Sequence, residues 1–368
     1  MAINYNTRLK KLQDSLIKSN AEAAMITSPA NIFYFTGFNS DPHERFMALI
    51  IDCRTDEFIL FVPALDEEIA ANESYIQTII PISDEEDPFT KLKEKLGEDV
   101  TRIELEMKSV TMFQHKQLSS VFPNVTYHDL QPIINEQRLK KSRSELVYMQ
   151  KAVDIIEKVL AAGIKKVKIG MTENELTAEL EYLMKKFGAA GPSFSTIVLS
   201  GEKAALPHGT PGERKFQNGD FLLIDFGVIT KEGYCSDITR TFIIGEVSEK
   251  QKEIYNIVLQ SNQAGIKAVK AGVPLKTFDI EARNVIQENG YGDYFNNRVG
   301  HGLGIEVHEE PSIHENNELI AESGLLFTIE PGIYIPDYGG IRIEDEVYIN
   351  EDGEAEILTS FSRELQIL

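Results

Sequence analysis

Apolar residues open the chain at helical spacing. Leu9, Leu12 and Leu16 fall on one face of an otherwise polar stretch, which predicts an amphipathic helix over residues 1–20. Short runs rich in β-branched and aromatic residues follow. "AAMITS", "IFYFTGF", "FMALIID" and "EFILFVP" each predict a strand. Helices are expected around 66–74 and 88–97, and "VTRIELE" and "NVTYHDL" read as later strands. This alternation predicts an α/β domain of doubly wound type over residues 1–135.

The pattern then changes. "LKKSRSELVYMQKAVDIIEKVLAAG" opens with a capping box, Ser142 to Glu145, which satisfies free backbone N–H groups at a helix start. Leu146, Met149, Val153, Ile156 and Leu160 then recur at helical spacing, so a second domain is expected over 142–368. It carries an internal repeat. "AGIKKVKIGM" at 162–171 and "AGIKAVKAGV" at 264–273 share seven of ten residues, and each precedes a predicted helix that ends in glycine, Gly188 or Gly290.

Each copy leads to a similar pair of apolar runs: "FLLIDFGVITKEGYCSDITRTFII" after the first, "LLFTIEPGIYIPDYGGIRIEDEVYI" after the second. Both predict β-hairpins, turning near Lys231–Gly233 and Pro336–Gly340. Asp225 and Asp237 lie equally far from the first turn, Glu330 and Glu344 from the second. Each hairpin is therefore expected to set two carboxylates opposite each other on strands built from Leu, Ile, Phe and Val.

Facing like charges destabilise a hairpin, and burial makes the cost larger. Protonation, arginine partners or metal ions could relieve it. Arg240 and Arg342 are close in sequence but too few for four acids, whereas two divalent cations match four carboxylates. An oxygen-rich set with one imidazole suits manganese, cobalt or zinc better than copper. That imidazole is expected in "VGHGLGIEVHEEPSI", where glycines surround His301 and His308 follows seven residues later. The tripeptide Asp-Phe-Gly at 225–227 also occurs in protein kinases, but no glycine-rich phosphate loop or H-R-D catalytic loop accompanies it here.

Bulk properties narrow the partners. A net charge of −21 over 368 residues repels phosphate backbones and anionic membranes, so nucleic acid and membrane are not expected. No apolar run approaches the roughly 20 residues of a membrane span. The polar N-terminus lacks a signal-peptide core, and two cysteines form no disulfide framework, which together point to the cytoplasm.

The ordered set Asp225, Asp237, His301, Glu330 and Glu344, with "LPHGTPG", "DITRTF", "GHGLGIEVHEEP", "TIEPGIY" and "GIRIEDEV", resembles the pita-bread metallopeptidases. "NIFYFTGFNSDPHERF" and the layout of the first domain look most like bacterial prolidases. The resemblance implies an α/β N-terminal domain followed by an α+β pita-bread catalytic domain with an internal pseudo-two-fold repeat. It implies that Asp225 binds one metal, that His301 and Glu330 bind the other, and that Asp237 and Glu344 bridge them. The two ions would be manganese first, with cobalt or zinc as alternatives. His208 and His308 would contact substrate and the developing oxyanion, and Glu330 would act as general base. Arg342 would orient the site and meet the substrate carboxylate, and Phe194 would form a wall for the proline ring. The implied reaction is hydrolysis of Xaa-Pro dipeptides, releasing C-terminal proline, by a hydroxide bridging the two ions. The alternative is aminopeptidase P, which removes the residue before proline from longer peptides. A non-catalytic relative or a metal-free creatinase-like hydrolase is disfavoured because all five ligand positions are filled. A homodimer is also implied, in which the loop 39–46, with Asp41, His43, Glu44 and Arg45, reaches the neighbouring active site.

Overall fold

The computed structural model describes residues 3–368, so Met1 and Ala2 of the first predicted helix lie outside the described residues. The chain divides near residue 138 into two compact units. In the first, α1 (Tyr5–Lys18) buries Leu9, Leu12 and Leu16 as their spacing requires. Then come β1 (Ala23–Ile26), α2 (Pro29–Thr36), β2 (Ala48–Asp52), β3 (Glu57–Pro63), α3 (Glu67–Glu73), β4 (Thr78–Ile82) and α4 (Pro88–Leu96), followed by β5 (Arg102–Leu105), α5 (Met112–Val121), β6 (Thr126–Asp129) and α6 (Gln131–Leu139). The six strands form one sheet in the order β4-β3-β2-β1-β5-β6. It is mixed rather than wholly parallel, because β2 runs antiparallel to both β1 and β3.

One expected strand is a helix. "IFYFTGF" lies largely in α2, with Pro29 in its first turn and Gly37 at φ 80° closing its end. Aromatic content favours a strand, but tertiary contacts decide otherwise. The buried Glu106 carboxylate accepts from the backbone N–H groups of Thr27 and Ser28 at 2.5 and 2.8 Å, and from the Asn31 amide, which fixes an acid at the helix N-terminus. The loop 39–46 is held at both ends, by buried Phe38 and by Phe46 packed edge-on against Phe61 and Phe89. Within it, Arg45 makes a two-pronged contact with Asp84 at 2.8 and 3.2 Å.

The second unit shows why the repeat exists. Its first half runs α7 (Arg143–Gly163), α8 (Glu173–Lys186), β7 (Gly191–Pro192), β8 (Ile197–Ser200), β9 (Phe221–Phe226), β10 (Val228–Ile229) and β11 (Ile238–Ile243). Its second half runs α9 (Glu249–Ala268), α10 (Lys276–Glu288), β12 (Gly300–Gly302), β13 (Glu309–Ile313), β14 (Leu326–Ile329), β15 (Gly332–Ile335), β16 (Gly339–Arg342), β17 (Asp345–Ile349) and β18 (Ala355–Ile357). Each half is a helix pair followed by hairpin strands. The repeated Ala-Gly step lies near the end of each long helix. A side chain at Gly163 would meet Leu180 of α8 at 2.3 Å, and one at Gly265 would meet Ile329 at 3.0 Å and Ala282 of α10 at 3.2 Å. The glycines thus permit close approach of helix to helix and helix to sheet.

Ile156, Leu160, Leu176 and Leu180 pack on Leu222, Ile224 and Phe242 of the first half. Val258, Phe278 and Ala282 do the same with Phe327, Ile329 and Val347 of the second. This apolar backing makes the opposite side of the hairpin strands the one that can hold polar groups. The halves are joined on the helix-facing side by Arg240, which shares its face of β11 with Phe242 and is almost fully buried. Its guanidinium donates to Asp345 Oδ1 at 2.8 Å, to the Thr239 carbonyl at 3.0 Å and to the Glu344 carbonyl. Asp345 also accepts from Asn262 and Thr359. Replacing Arg240 with Met would remove the nearer cation of the buried Asp345 carboxylate, leaving only Arg363 at 3.8 Å. Denaturant unfolding of the second unit is expected to show a loss of about 3–5 kcal/mol. A loss under about 1 kcal/mol would mean that Arg240 does not join the two halves.

Candidate active site

The four carboxylates come from the two hairpins. β9 and β11 pair so that Asp225 faces Thr239, not Asp237. Direct opposition in the first hairpin is therefore corrected: Asp237 lies diagonally, two positions along the same face. The difference follows from the turn centre, which the register places at residue 232. In the second hairpin, Ile329 pairs with Asp345 and Gly332 with Arg342. Continuing either ladder sets Glu330 opposite Glu344, as expected.

The hairpins then meet each other. Thr239 Oγ1 donates to Glu344 Oε2 at 2.6 Å, and the Glu344 N–H donates to the Thr239 carbonyl at 3.2 Å. The Asp237 N–H donates to Glu346 Oε1 at 2.9 Å. His301 reaches the cluster from β12. Its backbone N–H donates to Thr328 Oγ1 at 3.1 Å, and Thr328 Oγ1 donates to Glu330 Oε1 at 3.1 Å. His301 Nε2 lies 3.2 Å from Glu330 and 3.6 Å from Asp237. Its Nδ1 faces the Gly302 carbonyl at 3.1 Å, which places a proton on Nδ1 and directs Nε2 at the acids.

The electrostatics are those of an unneutralised site. Burial pushes the Asp237 carboxyl well above its ordinary range, and the charges of Glu344, Asp225 and Glu330 add to it. Burial, then Glu330 and Asp225, do the same to Glu344. Burial also raises Asp225, although Arg342 opposes it. Glu330 goes the other way. Burial resists its ionisation, but the hydrogen bond and charge of His301 and the charge of Arg342 outweigh it, so its pKa is lowered. Of the two arginines weighed against the cluster, only Arg342 serves it. Its guanidinium contacts Asp225, Thr239 Oγ1 at 3.0 Å and the Tyr334 hydroxyl at 2.8 Å. Arg240 instead serves Asp345.

These residues fit a metal centre on structural grounds. Oδ1 of Asp225 and Oδ1 of Asp237 are buried and accept no hydrogen bond. Single ligand atoms of Asp237, His301 and Glu344 all lie within 4.8 Å of one another. Buried carboxylate oxygens without donors, gathered beside an imidazole nitrogen, are a donor set that suits a cation.

Around the cluster lies a cavity of about 890 Å³, whose lining includes the apolar Phe194, Ile197, Leu206 and Pro207 and the polar Asn296, Asn297 and Arg298. His208 and His308 line it too. The His308 ring sits edge-on to His301, 4.2 Å between centroids. Burial and the nearby charges of His301 and Arg298 pull the His308 pKa down to about 4. Phe194 is half-buried and faces the cavity rather than the core. Sequence reasoning missed Thr239, Tyr334, Glu346 and Arg298. Thr239 was open to discovery, since it follows Asp237 by two residues and so shares its face of the strand. Tyr334 and Arg298 gave no such signal.

Comparison with known proteins agrees with this geometry. Residues 147–351 match the model of metallopeptidase family M24, and residues 8–140 match the creatinase/prolidase N-terminal domain. An uncharacterised peptidase of Staphylococcus aureus is 40% identical over 97% of this chain and 100% of its own. The crystal structure of a prolidase from Thermococcus sibiricus is 36% identical with a TM-score of 0.94, covering 100% of both chains. That of an X-Pro aminopeptidase from Thermotoga maritima is 34% identical with a TM-score of 0.86, covering 97% of this chain and 99% of its own. The second unit is thus the pita-bread domain that the family resemblance implied. A creatinase-type N-terminal domain ahead of such a unit, with buried acids at its centre, makes this chain a member of metallopeptidase family M24.

Proposed function

We propose that this metallopeptidase hydrolyses Xaa-Pro dipeptides and releases C-terminal proline. The observation that carries the reading is the cavity itself. A cluster of buried acids that calls for cations borders apolar walls from Phe194, Ile197, Leu206 and Pro207, which suit a proline ring. The similarity to a prolidase over the full length of both chains supports the same choice. Removal of the residue before proline from longer peptides is the second reading, favoured by the similarity to an X-Pro aminopeptidase.

Asp225, Asp237, His301, Glu330 and Glu344 would hold two divalent cations, with manganese the first choice for an oxygen-rich set. Bound there, the ions supply a water made acidic enough to react near neutral pH and polarisation of the scissile carbonyl. The chain's own groups do the rest. Glu330, its pKa lowered beside His301, accepts a proton from the attacking water. It returns that proton to the proline nitrogen, a tertiary amide nitrogen that cannot leave as an anion. His308, its pKa pulled down to about 4, keeps one N–H to donate to the oxygen that gains charge, and His208 lines the same cavity. Arg342 holds Asp225 in place, and through Thr239 it also holds Glu344.

Two histidines at seven-residue spacing then have separable roles. His301→Ala is expected to lose metal content and activity together, as chelation should in the wild type. His308→Ala should keep wild-type metal content while kcat falls roughly 100- to 1,000-fold, the cost of one oxyanion donor. Metal analysis beside steady-state kinetics checks both, and matching metal losses in the two variants would show that the roles are divided wrongly. Substrate length separates the two readings. Met-Pro should be cleaved and Met-Pro-Gly largely spared. Preference for the tripeptide would favour the aminopeptidase.

A further inference from the structure

Two arginines line the cavity, and they are used in opposite ways. The family resemblance offers Arg342 as partner for the substrate carboxylate. In the structure its guanidinium is committed at every nitrogen: Nη2 to Asp225, Nε to Thr239, and Nη1 to the Tyr334 hydroxyl and, at 3.5 Å, the Pro207 carbonyl. It is 3% exposed. Arg298 is the reverse. It is exposed, its guanidinium makes one hydrogen bond, Nη1 to Ser312 Oγ at 3.0 Å, and no carboxylate within salt-bridge distance pairs with it among the described residues. In a chain with 58 acidic residues against 37 basic ones, an arginine without an acidic partner on a cavity wall calls for explanation.

Its position is also built. On α10, buried Asp279 and Arg283 pair through two contacts at 2.7 and 3.0 Å. Arg283 donates to the Phe295 carbonyl at 2.9 Å and to the Asn297 carbonyl at 2.8 Å, and its guanidinium lies over the Phe295 ring. Asp279 accepts from the Val299 N–H at 2.9 Å. The backbone on both sides of Arg298 is therefore fixed to one helix. The chain then enters β12, where His301 lies three residues after Arg298 and has Ser312 as its cross-strand neighbour. With its backbone thus anchored to α10, the Arg298 side chain lines the same cavity as the acid cluster.

Every Xaa-Pro dipeptide carries a C-terminal carboxylate into a cavity lined by Asp225, Asp237, Glu330 and Glu344. That carboxylate needs a cation placed outside the acid cluster. Guanidinium matches it in geometry, offering two parallel N–H donors. We propose that Arg298 anchors the C-terminal carboxylate of the dipeptide, and so favours substrates that end at proline. The inference rests on the Xaa-Pro reading above.

The test compares Ala-Pro with its C-terminal amide, and Glu-Pro with Gln-Pro, in wild type, Arg298→Ala and Arg298→Lys at equal metal content. Arg298→Ala should lower kcat/KM for Ala-Pro roughly 10- to 100-fold, mainly through KM, the loss expected for a charge-assisted hydrogen bond. Ala-prolinamide should change little, and Arg298→Lys should recover part of the loss. Glu-Pro and Gln-Pro should fall alike. Equal losses for acid and amide, no loss for either, or a loss confined to Glu-Pro would overturn the assignment. If wild type cleaves Ala-Pro well ahead of the amide and Arg298→Ala keeps that ratio, only the role of Arg298 fails. If wild type cleaves no Xaa-Pro dipeptide, the functional reading fails and this inference with it.

Discussion

Repulsion among Asp225, Asp237, Glu330 and Glu344 is the constraint around which the second unit is arranged. Asp225, Asp237 and Glu344 are buried and Glu330 is partly so, and two have carboxyl groups driven well above their ordinary range by burial and by neighbouring acids. A fold gains nothing from such a cluster unless cations enter it. Arg342 neutralises one charge. The remaining charge, two carboxylate oxygens without donors and an imidazole aimed at them all match divalent ions.

The repeat explains how the chain tolerates this. Each half presents an apolar face to its own helix pair, packed closely through Gly163 or Gly265. The opposite sides of the two hairpins then meet along residues 237–241 and 342–346, tied by Thr239, Thr241 and Glu346. Stability is supplied on one side of the strands and chemistry on the other. Cys235, two residues before Asp237, is buried with its thiol against the Ile305 carbonyl, and burial raises its pKa.

Much of this was legible in the chain because it depends on short-range periodicity. Paired acids on apolar strands, capped helices and a repeated Ala-Gly step are local patterns, and the structure contains each. What escaped depends on tertiary contact. "IFYFTGF" became a helix through Glu106, a residue about 70 positions away. The diagonal placement of Asp237 depends on where the turn centres. The contrast between Arg342 and Arg298 rests on partners supplied by Tyr334, Thr239 and α10, which no spacing announces.

The claim that cations resolve the carboxylate repulsion is tested most directly by thermal unfolding of Asp237→Asn beside wild type, metal-free and again with saturating Mn²⁺. The substitution removes a charge and keeps the shape. Metal-free, it should raise Tm, because a cost of burial disappears. With Mn²⁺, wild type should gain the stabilisation of ligand binding and the variant should lose most of it, so the order reverses. A variant less stable than wild type without metal, or stabilised by Mn²⁺ as fully as wild type, would contradict the account.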